Sequence, residues 1–460
     1  MNKLSKLLAG ILIFVILFYN REPGINLSLF ALSIWALSII KNPEKTRGKM
    51  YWLLSISCWI SILSFAWYGD VLSLFAVLFS IIFFVMYLQF PKLRLATYPL
   101  VGIINFFTFP FRIFFINHWL KGLNRKPQWK KWIATAIIPV IFLILFLFVY
   151  STGSDLFRKF FKNIFFEFDP IQIFILGLLG FFILFNLWFM WVPKLLIKLN
   201  NELGDEFSET GSKSFILSFS FFDKNLELRS GKITFILLNL LLLIFIITYN
   251  YEQFFSAGEL GKLSDEIHQR IATVIGSIVL AIGMVLFYFK SKINFHSEGR
   301  LLKKLSLAWI ILNSLLLVSA FIKNGEYILN YGLTFKRISV FIFLILCQIG
   351  LLLTWYKINR QKTNIFLINK MGWVFFFALV ICSPVNFSWI VTKYNLNHPK
   401  YNDPTYLQSL DYNKKILYDT YKDNPEWINY FSEQKTKTDF ERKRGFLSSR
   451  LYYRFLPDDL

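Results

Sequence analysis

Long apolar runs constrain this chain more than any other feature of its sequence. The runs are about twenty residues long, the length that an α-helix needs to cross the hydrocarbon core of a bilayer. Because 55% of the 460 residues are hydrophobic and only 17% are charged, a soluble fold would expose large apolar patches and aggregate. A membrane β-barrel would show alternating segments of about ten residues, whereas these runs are continuous. The sequence therefore predicts an all-α fold, a polytopic helical membrane protein.

The apolar runs predict about eleven transmembrane helices. The first two runs are short, so their helices either extend into flanking residues or thin the bilayer locally. The predicted spans cover residues 7–19, 25–40, 50–69, 71–90, 132–150, 171–192, 233–250, 271–289, 305–322, 338–355 and 371–390.

Lysine and arginine are distributed unevenly between the connections. The N-terminus and every second connection hold 29 of the 50 basic residues, the other connections hold 9, and the tail after residue 391 holds 12. Because basic residues collect in cytoplasmic loops, this pattern predicts a cytoplasmic N-terminus and an extracytoplasmic C-terminus. The same pattern accounts for the net charge of +22 without nucleic-acid binding, since no soluble basic domain accompanies it.

Several connections and the tail are longer than turns. We divide the chain into a transmembrane helical domain over residues 1–391 and an extracytoplasmic helical tail over residues 392–460. Within the first domain, residues 91–131 form a basic cytoplasmic segment and residues 193–232 a mixed-charge cytoplasmic loop. Residues 154–168 have apolar positions at helical spacing, which predicts a helix lying on the outer interface.

Prolines indicate the local structure of two of these regions. Pro110 interrupts the apolar stretch 103–115 and is expected to break a spanning helix, so this stretch is predicted to be interfacial or re-entrant. Its basic neighbours would then face anionic lipid headgroups. In the tail, Asp403 and Asn424 each precede a proline, which is the pattern of a helix N-cap, so short helices are predicted to begin there.

A short polar strip, residues 323–337, separates the ninth and tenth predicted spans. Gly332 predicts a turn, and Tyr327 and Tyr331 either anchor the ends of the spans or belong to a ligand or partner surface. Arg337 lies on the side where basic residues are sparse. We therefore expect it to pair with a headgroup phosphate or with a carboxylate of the tail or of the preceding outer loop.

A second group of polar residues precedes the eighth predicted span. Asp265, Glu266 and His268 could form an external acid/base cluster. The alternative is an ordinary polar helix start, because acidic residues are favourable near a helix N-terminus. With the polar strip, these residues complete the candidate functional surface.

The sequence indicates no catalytic residue, metal site or cofactor. The four histidines lie in different connections, the three cysteines form no CxxC, and no GxSxG or glycine-rich phosphate loop occurs. Apart from serine and threonine, few polar residues lie inside the spans. Amides there are expected to form hydrogen bonds between helices rather than to coordinate a substrate. The amides are Asn186, Asn239, Asn313 and Gln348. Whether the protein is an enzyme stays open, and the missing motifs favour a non-enzyme.

Four stretches together resemble a bacterial multipass family known as domain of unknown function 4173. They are the strip around Tyr-Gly-Leu-Thr at 331–334 with Arg337, and residues 24–30, 264–270 and 394–407. Arg270 departs from the small residue expected at its position. The resemblance implies an uncharacterised membrane protein and brings no activity, substrate or cofactor.

Three functions fit these observations, in decreasing order of support. The first is a non-catalytic protein of the bacterial inner membrane that docks a partner at the outer face or senses the envelope. The second is a transporter or lipid-handling carrier, and the third is a membrane enzyme acting on lipid-linked substrates. The expected partners are anionic lipid headgroups and a protein at the outer face, with no nucleic acid.

Overall fold

The computed structural model describes most of the chain as helix. The described residues are 3–40, 48–114, 146, 150, 153–154, 156, 169–202, 204–207, 224–255, 263–289, 299–398 and 403–459. Within these ranges no strand occurs, and the predicted all-α fold is confirmed.

Seven helices are described before residue 203. They are α1 (Lys3–Phe18), α2 (Ile25–Ile39), α3 (Lys49–Tyr68), α4 (Val71–Gln89), α5 (Tyr98–Phe114), α6 (Pro170–Trp188) and α7 (Lys194–Glu202). The turn from α3 to α4 follows from its residues, because Gly69 has φ +62° and Asp70 caps α4 by accepting from the Ser73 amide at 2.8 Å.

Ten helices are described after residue 223. They are α8 (Lys224–Phe255), α9 (Leu263–Tyr288), α10 (Arg300–Tyr331), α11 (Phe335–Asn359), α12 (Asn364–Cys382), α13 (Phe387–Leu396), α14 (Pro404–Gln408), α15 (Lys414–Tyr421), α16 (Ile428–Lys443) and α17 (Leu451–Arg454). The helix starts predicted in the tail are confirmed. The Asp403 carboxylate caps α14, and the Asn424 side chain caps a 3-10 turn, Pro425–Trp427, that leads into α16.

Seven of the described helices are long and apolar enough to cross a membrane, so this is a membrane protein. These seven are α3, α4, α6, α8, α10, α11 and α12. Two shorter apolar helices, α2 and the part of α9 over Thr273–Tyr288, coincide with further predicted spans. The predicted span over residues 132–150 and the amphipathic stretch 154–168 lie almost entirely outside the described residues. The count of eleven therefore stays a prediction.

Two expected boundaries are corrected. The last predicted span, 371–390, continued across Ser383 and Pro384, whereas α12 ends at Cys382 and begins earlier, at Asn364. Apolar side chains continue past the end of the helix, so a boundary placed by hydropathy alone ignores the effect of Pro384 on the backbone. Conversely, α5 continues through Pro110 to Phe114, so this proline does not break the helix as expected.

The helices form two bundles. One apolar core is shared by α1, α2, α3, α4, α6 and α12, and a second by α8, α9, α10 and α11. Helix α12 contacts both α4 and α11, so it joins the two bundles. Two span amides bond between helices as predicted: Asn239 donates to the Leu305 carbonyl at 3.0 Å, and Gln348 donates to the Ser314 hydroxyl at 3.4 Å.

The connections meet in two groups. At the basic end, α4, α6, α9 and α11 finish, and Arg94 and Lys362 form ion pairs with Asp205 and Glu206 of the segment after α7. At the tail end, α1, α3, α10 and α12 finish, and helices α13 to α17 cover them. Consecutive described connections thus alternate between the basic end and the tail end, as the distribution of basic residues predicts.

Candidate functional site

The polar strip 323–337 forms the turn between α10 and α11 at the tail end. Residues up to Tyr331 continue α10, and Gly332, with φ +79°, ends it. Only glycine adopts such a φ without steric cost, so the predicted turn is confirmed. Thr334 then caps α11, since its Oγ1 accepts from the Arg337 amide at 3.4 Å.

The Arg337 side chain is buried inside this turn, with 8% of its surface exposed. Its Nη1 donates to the Tyr331 carbonyl at 2.8 Å and also to the Gly332 carbonyl. The guanidinium lies over the Tyr327 ring, 4.2 Å from its centroid. Because the carbonyls at the C-terminal end of a helix attract a cation, Arg337 stabilises the turn to which it belongs.

The described contacts of Arg337 lie within its own turn, and its expected pairing with a headgroup phosphate or a carboxylate stays a prediction. Among the described residues no acidic side chain pairs with it, since the α10 carbonyls and an aromatic ring already compensate its charge. Tyr327 and Gly332 are buried as well, and Tyr331 is half-buried. These four residues therefore belong to one largely buried turn, and their role in a functional surface stays a prediction.

The tail nevertheless docks on the strip, through the backbone of the strip. The Asn395 side chain donates to the Leu333 carbonyl at 2.9 Å and accepts from the Leu333 amide at 2.7 Å. Tyr406 OH accepts from the Phe335 amide at 3.0 Å. That amide is one of the helix-start donors without an intrahelical partner. Asn395 and Tyr406 therefore satisfy backbone groups that the turn leaves open.

An apolar core lies beneath these bonds. Ile328 and Leu333 of the strip pack with Val391 of α13 and with Leu407, Leu410, Leu417, Trp427 and Phe431 of the tail. The Trp427 ring stacks on Tyr421 with centroids 4.3 Å apart. Burial of this core gives the docked tail its hydrophobic stabilisation.

The tail also contacts the first bundle. Tyr412 OH donates to the Tyr68 carbonyl at the end of α3, at 2.7 Å. Arg444 forms an ion pair with Glu22 at 3.0 Å, in the connection between α1 and α2. One folded tail therefore contacts both bundles.

The backbones of the tail and the first bundle also approach each other closely at Gly24. The Ile25 amide donates to the Ser449 carbonyl at 3.1 Å. A Cβ at Gly24 would lie 2.6 Å from the Ser448 carbonyl carbon, well inside van der Waals contact. Glycine at this position thus permits the backbone-to-backbone contact.

A group of buried polar atoms lies inside the tail, and we call it the Lys414 cluster. The Lys414 side chain is 1% exposed, and its Nζ lies over the Tyr453 ring at 4.7 Å. Among the described residues, no hydrogen-bond partner is found for these buried atoms: Lys414 Nζ, Asn413 Oδ1, Tyr430 OH, Thr438 Oγ1 and Glu441 Oε2. Because a buried unpaired polar group costs folding free energy, this cluster reduces the stability of the tail.

The surroundings alter the ionisation of the cluster. Burial lowers the pKa of Lys414 to about 8, with the Lys437 cation acting in the same direction and the carboxylates of Asp411 and Glu441 opposing it. Burial also raises the pKa of the Tyr453 phenol to about 12. Burial therefore favours the neutral forms of Lys414 and Tyr453.

The side-chain geometry of the predicted acid/base cluster is not described. Asp265, Glu266 and His268 lie on α9, but their side chains are outside the described residues. Elsewhere in the described chain, no group of three histidine, cysteine or acidic residues could hold a metal ion. An enzyme acting through these three residues stays a prediction.

Sequence reasoning identified the strip but not the residues that hold the tail on it. Asn395 and Tyr406 lie in the stretch 394–407 that resembles the family, and the sequence does not indicate their partners. Lys414 gave no signal, because a lysine at the start of a polar helix is ordinary on a surface.

The comparisons with known proteins agree with an uncharacterised membrane family. A family model described as a domain of unknown function, DUF4153, matches residues 48–419. The implied membership in a family of unknown function is confirmed at that level, while the number 4173 is not. Comparisons with curated proteins and with solved structures found no match. Since the match covers most of the sequence, the chain belongs to the family defined by domain of unknown function DUF4153.

Proposed function

We propose that this protein docks a protein partner at the outer face of the bacterial inner membrane. Its tail would be the docking platform. The observation that carries this proposal is the fixed tail, which is bonded to the strip through Asn395 and to the first bundle through Tyr412. A preorganised surface lowers the entropic cost of binding.

The charge distribution supports the orientation in this proposal. Basic connections gather at the end opposite the tail, and cytoplasmic loops are the ones that carry excess lysine and arginine. The tail, residues 392–460, holds twelve basic and ten acidic residues, and a segment of this length can be translocated largely regardless of its charge. The proposal includes eleven spans, a cytoplasmic N-terminus, and a division into residues 1–391 and 392–460.

Helix α16 is the best candidate for the docking face. Its sequence is polar, yet Ile428 and Phe440 are 59% and 60% exposed. Exposed apolar residues on a folded domain outside the bilayer favour a protein interface. Phe455 is also exposed, but its ring stacks on Trp67 at the end of a span, 5.4 Å between centroids, and so lies towards the membrane.

Crosslinking in native membranes followed by purification of the full chain tests this proposal. We expect a specific protein to copurify with the wild type and to be lost from the double variant Ile428→Ser, Phe440→Ser. The control is Phe455→Ser, which removes an exposed aromatic from the membrane side of the tail and should keep the partner. If both variants copurify the same proteins as the wild type, α16 is not a docking face.

One observation favours a lipid-handling carrier as the second candidate. An apolar groove of about 660 Å³ runs between α10 and α11 and contains the hydrogen-bonded pair Gln348 and Ser314. A polar pair within an apolar groove could contact the polar group of a lipid-like molecule. A lipid that copurifies with the wild type and is lost from Gln348→Leu would favour the carrier over the docking protein.

A further inference from the structure

The charges of the tail are segregated along its sequence. Residues 403–441 hold eight acidic and five basic residues, whereas residues 442–457 hold five basic residues and no acidic one. We call residues 442–457 the basic segment. Its cations are Arg442, Lys443, Arg444, Arg450 and Arg454. A surface with charge of one sign favours a partner that carries the opposite sign.

The basic segment lies against the ends of two apolar helices. Its 3-10 turn, Phe446–Ser448, contacts α2, and α17 contacts α3. At the C-terminal end of α3, a Cβ placed on Gly69 would lie 3.1 Å from the Arg450 side chain. Because α3 is long and apolar enough to span a bilayer, the basic segment lies at the level where this helix leaves the membrane.

Two aromatic rings of the basic segment are exposed at this level. The Phe455 ring, which stacks on Trp67, is 70% exposed, and the Phe446 ring is 55% exposed. Trp67 is itself partly exposed and is the residue before the last one of α3. Aromatic rings beside the end of a span are suited to the boundary between lipid headgroups and acyl chains.

An exposed arginine accompanies the rings. The Arg454 guanidinium lies over the Phe446 ring, 5.1 Å from its centroid. Its Nε donates to the Ser449 hydroxyl at 2.8 Å, and its Nη2 donates to the Arg444 carbonyl at 3.2 Å. Both acceptors are neutral. These bonds use two of the five N–H donors of a guanidinium, and a phosphate is a strong acceptor for the others.

Two other cations of the basic segment have acidic partners. Arg442 forms an ion pair with Asp458 at 3.3 Å, and Arg444 forms one with Glu22 at 3.0 Å. These pairs hold the basic segment in its place on the fold. The charge that it offers to a partner therefore comes from its other cations, of which Arg450 and Arg454 are closest in sequence to Phe455.

We propose that the basic segment binds the surface of the bilayer at the tail end, with acidic phospholipid as its partner. The Phe446 and Phe455 rings enter the boundary between headgroups and acyl chains, and Arg450 and Arg454 pair with headgroup phosphates. Basic residues next to the end of a span are attracted to anionic lipids in this way. The inference is independent of the docking role of α16, whose variants leave the basic segment unchanged.

Spin-label accessibility in the full chain tests the depth of the two rings. A nitroxide is attached to Phe446→Cys, Phe455→Cys or the control Ile428→Cys, in a chain whose three native cysteines are replaced by serine. The protein is reconstituted into bilayers of phosphatidylcholine with phosphatidylglycerol. Oxygen concentrates in the bilayer and a nickel chelate stays in water. We expect oxygen to collide more often with the labels at 446 and 455, and the nickel chelate with the label at 428.

Two outcomes of this measurement contradict the proposal. If the nickel chelate dominates at all three positions, the rings lie in water and are free for a protein partner. If oxygen dominates at all three positions, contact with the bilayer is not a property of the basic segment.

The label at position 455 also tests the two arginines. We expect its ratio of oxygen to nickel collisions to be higher in bilayers with phosphatidylglycerol than in phosphatidylcholine alone. Arg450→Gln, Arg454→Gln should lose this difference. Arg450→Lys, Arg454→Lys should retain it, because both positive charges remain.

The matched control is Lys415→Gln, Lys435→Gln, which removes two exposed lysines from the acidic part of the tail. We expect it to retain the difference between the two bilayers. If both glutamine variants lose the difference equally, the effect is the general charge of the tail and the proposal is wrong. It is also wrong if the charge-retaining lysine variant loses the difference, or if the labelled chain with both arginines shows none.

Discussion

The ion pair of Arg94 at the basic end and the bonds of Asn395 at the tail end are two different kinds of contact. At the basic end, ion pairs such as that of Arg94 with Asp205 are partly exposed, the side chains being 25% and 40% accessible. At the tail end, Asn395 bonds both backbone groups of Leu333 in a buried setting. Exposed ion pairs contribute little to stability, whereas breaking a buried bond leaves groups that water cannot reach. The difference indicates that the tail is a fixed part of the fold.

The largest effect is expected from Asn395→Leu. It leaves the Leu333 amide and carbonyl buried without partners, which should destabilise the docked tail by about 2–4 kcal/mol. Limited proteolysis of membranes should show faster cleavage within residues 403–459. The control is Asn397→Leu, an exposed amide two residues away that should leave cleavage unchanged. Equal cleavage of the Asn395 variant and the wild type would show that this bond does not hold the tail.

Gly24→Ala should have the next largest effect, about 1–3 kcal/mol. The added Cβ would collide with the Ser448 backbone and separate the tail from α2. The control is Gly177→Ala, because a Cβ there meets nothing within 4 Å. The same proteolysis should distinguish the two variants, and unchanged protection in Gly24→Ala would contradict the close contact.

A smaller change of opposite sign is expected from Lys414→Met. Removing the buried unpaired ammonium should stabilise the tail by about 1 kcal/mol. A methionine of similar length can fill the same space beside Tyr453. Slower proteolysis of the variant at pH 7 would agree, and faster proteolysis would show that Lys414 contributes a favourable interaction.

The same residue makes tail stability depend on pH. The pKa of Lys414 is about 8 in the folded tail, below its usual value near 10.4, so between these values the unfolded tail binds more protons. Tail stability should therefore rise from about pH 8 to about pH 10. Above about pH 10 the gain should reverse, because burial raises the pKa of Tyr430 and Tyr453 to about 12 and the unfolded tail loses those protons first. Proteolysis at several pH values should show the rise in wild type and not in Lys414→Met.

The smallest effect is expected at the basic end. Asp205→Asn removes the partner of Arg94, and the partly exposed pair should contribute about 0.5 kcal/mol or less. Thermal unfolding in detergent should shift by no more than a few degrees. A shift as large as that of Asn395→Leu would abolish the contrast between the two ends.

Local sequence patterns predicted many of the helices, caps and turns. They could not predict which residues distant in sequence bond to each other. Asp403 before proline and Gly332 after a helix end are governed by neighbouring residues, so their roles were predicted correctly. The bonds between Asn395 and Leu333 join residues 62 positions apart, and nothing in either neighbourhood specifies the other. The sequence shows the charge of Arg337 but not its contacts with the carbonyls of its own turn, so those contacts were not predicted.

The most direct test of the account is whether the tail lies on the first bundle at the outer face. Glu22→Cys and Arg444→Cys replace an ion pair of 3.0 Å, and Cys58, Cys347 and Cys382 would first be replaced by serine. A membrane-impermeant bifunctional thiol reagent added to right-side-out vesicles should then crosslink the two positions within one chain. Crosslinking only in inverted vesicles would contradict the orientation, and none in either preparation would contradict the docked tail.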